Sequence, residues 1–459
     1  MASQLMDSRI YGAAWGTPEL RSIFDEEARI ARWLEILAVL AETEAEFGLI
    51  PADKAKDVAA ACRTIKPDAE FLEEVRRGFE ASGHSTQGLI QAVQKRCEGG
   101  SGEWLYCGAT VQDLSDTWMM GALRDARAIY VRDLQAANAA LRGLAKRHRD
   151  TVMVGRTHGQ QGLPITFGFK VAGWSTEISR HLQRLAEIAT RMDVGQLCGG
   201  VGSLSSLGPR AFEIQGGFLT RLGLRAPDIS WTSSRDVLAE WANAMVLITA
   251  TADRIGHEVY NLQRSEIGEV AERYAPGTVG SITMPHKRNP ELSEHLGTLS
   301  RVARHSAAMI TESLVHDHER DGRSWKVEWH AVPQISLVAG KALALLRALV
   351  ADLDIDAERM RANLEASDGL VLSEEVMLAL MHHVGRFSAH RLVYQAAAVA
   401  CETKLPLRKV ILEQPAIMAY LKVEDVEALF DYRRSIRHCG TMVDRVLGRC
   451  ADTMERASA

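Results

Sequence analysis

Apolar side chains recur at spacings of three and four along much of this chain. One series runs Met119, Leu123, Ala126, Tyr130, Leu134, Ala137, Leu141 and Leu144, and a second runs Phe167, Val171, Trp174, Ile178, Leu182, Leu185, Ala189 and Met192. A third joins Leu238, Trp241, Met245, Ile248, Ala252, Ile255, Val259 and Leu262. Two shorter ones are Leu292, Leu296, Leu299, Ala303, Ile310 and Leu314, and Ile335, Val338, Ala342, Leu345 and Leu349. Each is the stripe of an amphipathic helix. Proline-free gaps agree: none falls between Pro67 and Pro164, Pro164 and Pro209, Pro227 and Pro276, or Pro333 and Pro406, and proline breaks helix interiors. The first three helices would reach roughly 40–50 Å at a rise of about 1.5 Å per residue. Helices of that length pack side by side in a bundle. Strand signals are scarce; Val152 to Val154 predicts a minor hairpin at most. The expected fold class is all-α.

Three regions follow. Residues 1–108 read as a smaller helical domain and residues 109–354 as a central bundle of five long helices. Residues 355–459 read as shorter helices separated by Gly369, Gly385 and Pro406, opened by the helix-start signal Asp354-Ile355-Asp356. Several stripes are broad and rich in Ala, Met and Trp, which predicts burial on more than one face and hence subunit association. A large monomeric bundle is the alternative.

Composition narrows the function. In 459 residues, 46% are hydrophobic and 25% charged, with a net charge of -5. That balance argues against a nucleic-acid-binding surface, which needs basic stripes. The cysteines (Cys62, Cys97, Cys107, Cys198, Cys401, Cys439 and Cys450) are odd in number, with no C-x-x-C pair. They suggest neither a zinc site nor a disulfide framework, and fit a reducing cytoplasm. The N-terminus carries Asp7, Arg9 and Glu19 without an apolar signal core. No run of about 18 apolar residues predicts a membrane span; in the nearest, Val338 to Leu353, Lys341, Arg347 and Asp352 interrupt.

Three clusters hold candidate chemistry. The segment Tyr274 to Pro290 interrupts two long helices and carries Gly277, Gly280, Ser281, Thr283, Pro285, His286, Lys287, Arg288, Asn289 and Pro290. Its glycines free the backbone and its prolines direct it. The helix that follows favours an anion at its N-terminus. Composition alone leaves an ordinary solvated connector equally open. The second cluster is Gly155-Arg156-Thr157-His158-Gly159-Gln160-Gln161, read as preceding a helix that opens near Pro164. His158 there is either a general acid or base or a satisfied capping group. The third is Cys107 to Thr117, whose Thr110, Gln112 and helix-start amides can hold carboxylate oxygens; a plain N-cap at Asp113 or Ser115 is the alternative. His316-Asp317-His318-Glu319 has metal-ligand residue types but no matching ligands elsewhere, so no metal is expected. Gly200-Val201-Gly202 lacks the third glycine of a dinucleotide fingerprint.

Together the three clusters resemble the fumarase/aspartase superfamily. Its signature G-S-S-x-M-P-x-K-x-N-P is similar to Gly280-Ser281-Ile282-Thr283-Met284-Pro285-His286-Lys287-Arg288-Asn289-Pro290. The R-T-H-G-Q and G-A-T-x-Q-D-x-x-D-T segments resemble two further motifs in the expected order. Within the superfamily, Trp231 to Asp236 and Glu266 to Val270 resemble the branch of adenylosuccinate lyase and 3-carboxy-cis,cis-muconate cycloisomerase. Glu319 to Trp325 with Glu328-Trp329, and Gly385-Arg386 with Ala389-His390, lean to the cycloisomerase side. In the region of Glu319 to Trp325, adenylosuccinate lyases carry a Ser/Arg-rich phosphate-binding segment. The chain departs from the family at Ile282, where the second signature serine is missing, and at Val111, where a hydroxyl is lost.

The resemblance implies a homotetramer with a 20-helix core, active sites each built from three subunits, no cofactor, and a small polycarboxylate substrate. It implies Ser281 as the base, His158 as proton donor or relay, and Lys287 and Asn289 as stabilisers of an aci-carboxylate carbanion. Thr110, Gln112, Thr157, Gln160, His84, Met284 and Arg288 are the implied substrate contacts. The expected reaction is anti β-elimination from a substituted succinate, cleaving C–N or C–O and releasing fumarate. Lactonising cycloisomerisation is the second reading, and a non-catalytic structural homologue a remote third.

Overall fold

The computed structural model describes residues 4–274, 277 and 279–457, with side chains as far as residue 448. Among them are eighteen α-helices and four short strands, so the fold is all-α. Five helices are long: Val111–Arg147, Phe167–Met192, Asp236–Leu262, Glu291–Glu312 and Gly322–Ala351. The first, of 37 residues, spans about 55 Å, longer than its stripe predicts.

The stripes are the core. Leu123, Ala126, Tyr130, Leu134, Ala137 and Leu141 are all 0% exposed, as are Trp241, Met245, Ala252, Ile255 and Val259. Tyr130 stacks on Trp241 at 5.6 Å, and its hydroxyl donates to the Ser336 carbonyl at 2.6 Å. A buried phenol thus keeps a partner.

The fifth long helix begins at Gly322, well before its recognised stripe, and continues through Pro333. Proline has no N–H to return to the Trp329 carbonyl, which is why the sequence reads as a break there. By length and composition this helix could cross a membrane, but 61% of its most apolar window is buried in the fold, as in a core helix.

The chain divides into two compact units, each assembled from three stretches. One comprises Met1–Leu134, His181–Ala252 and Leu296–Ala344; the other comprises Gln135–Arg180, Asp253–His295 and Leu345–Ala459. In the second unit, strand Val152–Thr157 pairs antiparallel with Gln160–Thr166. Val154 packs there with Leu364, Val371 and Leu372. A second ribbon pairs Val270–Glu272 with Leu353–Ile355. Asp356 then caps the helix Ala357–Glu365 by accepting from Arg359 N–H at 2.8 Å, as the sequence signal predicts. The C-terminal helices enclose their own apolar cluster, including Val376, Leu380, Val393 and Ile411. His382 and His383 end one of these helices, Ser373–Val384, with His383 against Tyr420.

Candidate active site

The signature loop lies in the second unit. Ala275, Pro276 and Thr278 are outside the described residues; from Val279 onward the path is set by its own polar groups. The Asn289 side-chain amide donates to the Gly280 carbonyl at 2.7 Å and lies 3.4 Å from Glu291 Oε1. The Tyr274 hydroxyl donates to the Asn289 carbonyl at 3.0 Å, and the Gln263 amide to that of Arg288 at 3.1 Å. Arg288 lies over the Tyr274 ring. A side chain on Gly280 would come within 2.3 Å of the Tyr274 hydroxyl and 2.5 Å of the Lys287 carbonyl, so the loop closes only with glycine there.

Ser281 Oγ accepts the Met284 backbone N–H at 3.0 Å. An N–H aimed at the oxygen favours its ionised form. Ile282 is 97% exposed, and Met284, Lys287 and Arg288 are also exposed. Asn289 holds the loop through the same amide that the family resemblance aims at a carbanion.

The helix Glu291–Glu312 does not present an open anion site. The Glu272 carboxylate occupies its N-terminus, accepting from Leu292 N–H at 3.0 Å and Ser293 N–H at 2.7 Å. The expected anion there is the protein's own carboxylate, delivered by a short strand that sequence periodicity does not show.

His158 sits on a hairpin turn rather than before a helix. His158 and Gly159 both have positive φ, 51° and 74°, the two-residue turn whose twist matches a β-ribbon. The following helix opens at Phe167, not near Pro164, which pairs with Val154 inside the ribbon. Thr157, His158 and Gln160 are exposed at this tip. Arg156 anchors it: its guanidinium forks onto Glu269 at 2.9 and 2.6 Å, and Glu269 is 0% exposed. Asn363 donates to the same carboxylate at 2.8 Å. Such a bidentate pair fixes orientation as well as energy. Among the described residues no hydrogen bond joins this hairpin to Ser281 or Lys287.

Thr110, Gln112 and His84 belong to the first unit. The long helix starts at Val111, so Thr110, not Asp113 or Ser115, is the residue before it. Asp113 Oδ2 accepts the Thr110 N–H at 2.9 Å, a carboxylate reaching back to the helix start. Asp113 also accepts Cys198 N–H at 2.8 Å and Gly199 N–H at 3.0 Å. Burial nevertheless pushes its carboxyl up to about 6. Gln112 is 0% exposed; its amide donates to the Thr232 carbonyl at 2.8 Å, and its Oε1 has no partner. His84 is exposed, with its ring nitrogen 3.3 Å from the Thr86 hydroxyl.

Two features escape sequence reading. Arg320 donates to Thr110 Oγ1 at 3.0 Å, while its Nε and Nη2 are buried without partners. Those unused donors lie beside a residue already implied in carboxylate binding. Arg235 is 3% exposed and forks onto Asp116 at 2.8 and 3.0 Å and onto Glu328. Burial opposes the Arg235 charge, but the two carboxylates outweigh it and hold its pKa up. Burial also pushes Glu328 up. The partners are 119 and 93 positions apart, so no local spacing announces them.

The described cysteine side chains, Cys62, Cys97, Cys107, Cys198, Cys401 and Cys439, are free; that of Cys450 lies outside the described residues. Among the described residues no group of three His, Cys, Asp or Glu could hold a metal ion.

Residues 14–304 match a family model described as "Lyase", and residues 369–446 one described as "Adenylosuccinate lyase C-terminus". The chain is 40% identical over 452 residues to an N-acetyl-S-(2-succino)cysteine lyase of Dickeya dadantii, covering 98% of each chain. It is 34% identical over 449 residues to a 3-carboxy-cis,cis-muconate cycloisomerase of Pseudomonas aeruginosa, covering 97% of this chain and 96% of that one. The solved structure of a fumarate lyase from Mesorhizobium sp. BNC1 superposes with a TM-score of 0.88 at 35% identity, over 95% of this chain and 99% of that one. The chain is a lyase of the fumarase/aspartase superfamily, in the branch that holds adenylosuccinate lyase and 3-carboxy-cis,cis-muconate cycloisomerase.

Proposed function

We propose that this lyase removes a proton next to a carboxylate of a substituted succinate and expels the β-substituent as fumarate forms. The observation that carries the reading is the signature loop, in which Ser281 Oγ already accepts a backbone N–H. A serine hydroxyl is a weak base unless its alkoxide is stabilised. The Met284 N–H does part of this, and the Lys287 ammonium, exposed and without an ion pair among the described residues, supplies positive charge. Lys287 then stabilises the aci-carboxylate, where preorganised charge matters most. Asn289 contributes by holding Gly280 and, once its amide turns outward, by donating to the same oxygens. His158 gives the departing atom its proton. Thr110, Gln112, Thr157, Gln160, His84, Met284 and Arg288 contact substrate, and the unused donors of Arg320 join Thr110 in holding a carboxylate.

The similarity to an N-acetyl-S-(2-succino)cysteine lyase brings a thioether sulfur forward as the leaving atom, beside the nitrogen or oxygen that the sequence suggests. The protein acts as a cytoplasmic homotetramer, with residues from three subunits completing each site. The Trp325 to Trp329 stretch and the similarity to a cycloisomerase favour lactonisation as the second reading.

Product analysis tests both. Purified protein is incubated with S-(2-succinyl) thioethers, succinyl-amines, aspartate and 3-carboxy-cis,cis-muconate. Fumarate from a succinyl donor, without lactone, is expected. Lactone alone establishes the second reading and rejects the first.

A further inference from the structure

The first unit holds a cavity of 390 Å³, within the roughly 300–1,000 Å³ range of small-molecule sites. Trp33, Trp118, Trp325 and Trp329 line it, four of the nine tryptophans in the chain. Ser115 and Asp116, one turn beyond Gln112 on the same helix, and Ser85, next to His84, also line it. The cavity is thus lined by near sequence neighbours of the implied carboxylate contacts Gln112 and His84.

Its charges are not equally available. Arg235 spends four N–H bonds on Asp116 and Glu328, out of the five donors a guanidinium has. Arg76 is tied to Glu73 and Glu80. Arg29 remains: the carboxylates of Glu26, on the same cavity wall, and Asp25 act on it through space, but no side-chain hydrogen bond engages it, its Nε is buried without a partner, and it lies over the Trp118 ring at 5.0 Å. The indole N–H groups of Trp33, Trp118 and Trp329 are likewise buried without acceptors. Unmet donors in an apolar wall call for an acceptor.

We infer that this cavity binds the leaving portion of the substrate, and that this portion is an apolar body bearing one carboxylate: the body lies among the indoles and the carboxylate meets Arg29. Arg29 is the one lining guanidinium whose donors are free, and a single such cation, already beside Glu26, suits at most a monoanion. A phosphate, with two charges and three strong acceptor oxygens, would find Arg235 already saturated. That the bound portion is the one that leaves rests on the elimination reading, but binding itself needs no turnover.

Intrinsic tryptophan fluorescence and calorimetry on the full-length protein, and on its Ser281→Ala variant, test it with 3-phenylpropanoate, 3-phenylpropanol and phenyl phosphate. Saturable binding of 3-phenylpropanoate is expected at about 1 mM, as for a fragment of its size, and equally in Ser281→Ala. The uncharged alcohol should bind about tenfold more weakly, and Arg29→Met should weaken the acid by about the same factor, with Arg29→Lys restoring part of it. Equal affinity for acid and alcohol, tighter binding of phenyl phosphate, or no saturable binding of the acid overturns the inference. The acid–alcohol comparison needs no variant, so a misfolded Arg29→Met protein leaves it decisive. Failure of the product screen leaves this result standing, and the reverse also holds.

Discussion

Ser281 and Lys287 lie in a loop whose side chains largely face solvent, whereas Arg235 is 3% exposed and bonded on both sides to carboxylates. The loop keeps its reactive groups uncommitted and spends its backbone and Asn289 on holding shape. The cluster does the reverse: every charge in it is engaged. A group that must exchange protons or meet a ligand cannot also be saturated by neighbours. A group that must stay fixed in a low-dielectric interior has to be paired. The two regions thus divide chemistry from support.

The sharpest test of that division is Ser281→Ala. Turnover should fall by about 10²–10⁴-fold, the range for a positioned base, with the unfolding midpoint unchanged. A variant that keeps its activity removes the serine from the role of base.

Arg235→Met should do the opposite. Stranding Asp116 and Glu328 costs about 3–5 kcal/mol, read as a lower midpoint in urea. Unchanged stability would mean that the cluster is not a support.

Glu44 gives the case of a buried carboxyl without a partner. It is 0% exposed, neither oxygen is bonded, and burial pushes it up to about 9 from an ordinary 4.5. The folded state keeps this proton while the unfolded chain releases it, so stability drains as pH rises from about 4.5 to about 9. Glu44→Met should remove that slope and add about 3 kcal/mol at pH 7. Parallel stability–pH curves for the two proteins would contradict it.

The smallest effect belongs to Glu272→Gln. The amide oxygen still accepts from one of the two helix N–H groups, but its NH2 faces the other and the charge–dipole attraction is lost, so about 2 kcal/mol of stability should go. A loss several times larger would mean that the carboxylate has a further cationic partner.

The helices and the signature loop were legible because their information is local. A stripe such as Leu238 to Leu262 repeats within one element, and Gly280 to Pro290 is a contiguous string. The hairpin beneath His158 is only half visible in the sequence, since Val152 to Val154 alternates but Gly155 to Gln161 reads as the approach to a helix opening near Pro164. What fixes it is Glu269, 113 positions away. The anion at the helix after Pro290 was anticipated in kind, but its source, Glu272, lies in a three-residue strand too short for periodicity to register. Pro333 misled in the other direction, because burial on both sides of it carries the helix through a local breaker. Arg320 and Arg235 fall inside motif segments, but no local spacing gives them a role because their partners are distant in sequence; only tertiary packing distinguishes the one with donors to spare from the one with almost none.

The interleaving of the two units sets a constraint on synthesis. The first unit is not complete until Ala344 has been made, and by then all of the second unit's first two stretches have been made too. At roughly 5–20 residues per second, the helix segment ending at Leu134 waits roughly 10–40 s for its last partner stretch. During that interval its apolar stripe has no finished core to enter. Vectorial, unit-by-unit folding on the ribosome is therefore closed to this chain, whereas a protein of sequential domains can complete its first unit before its second is made.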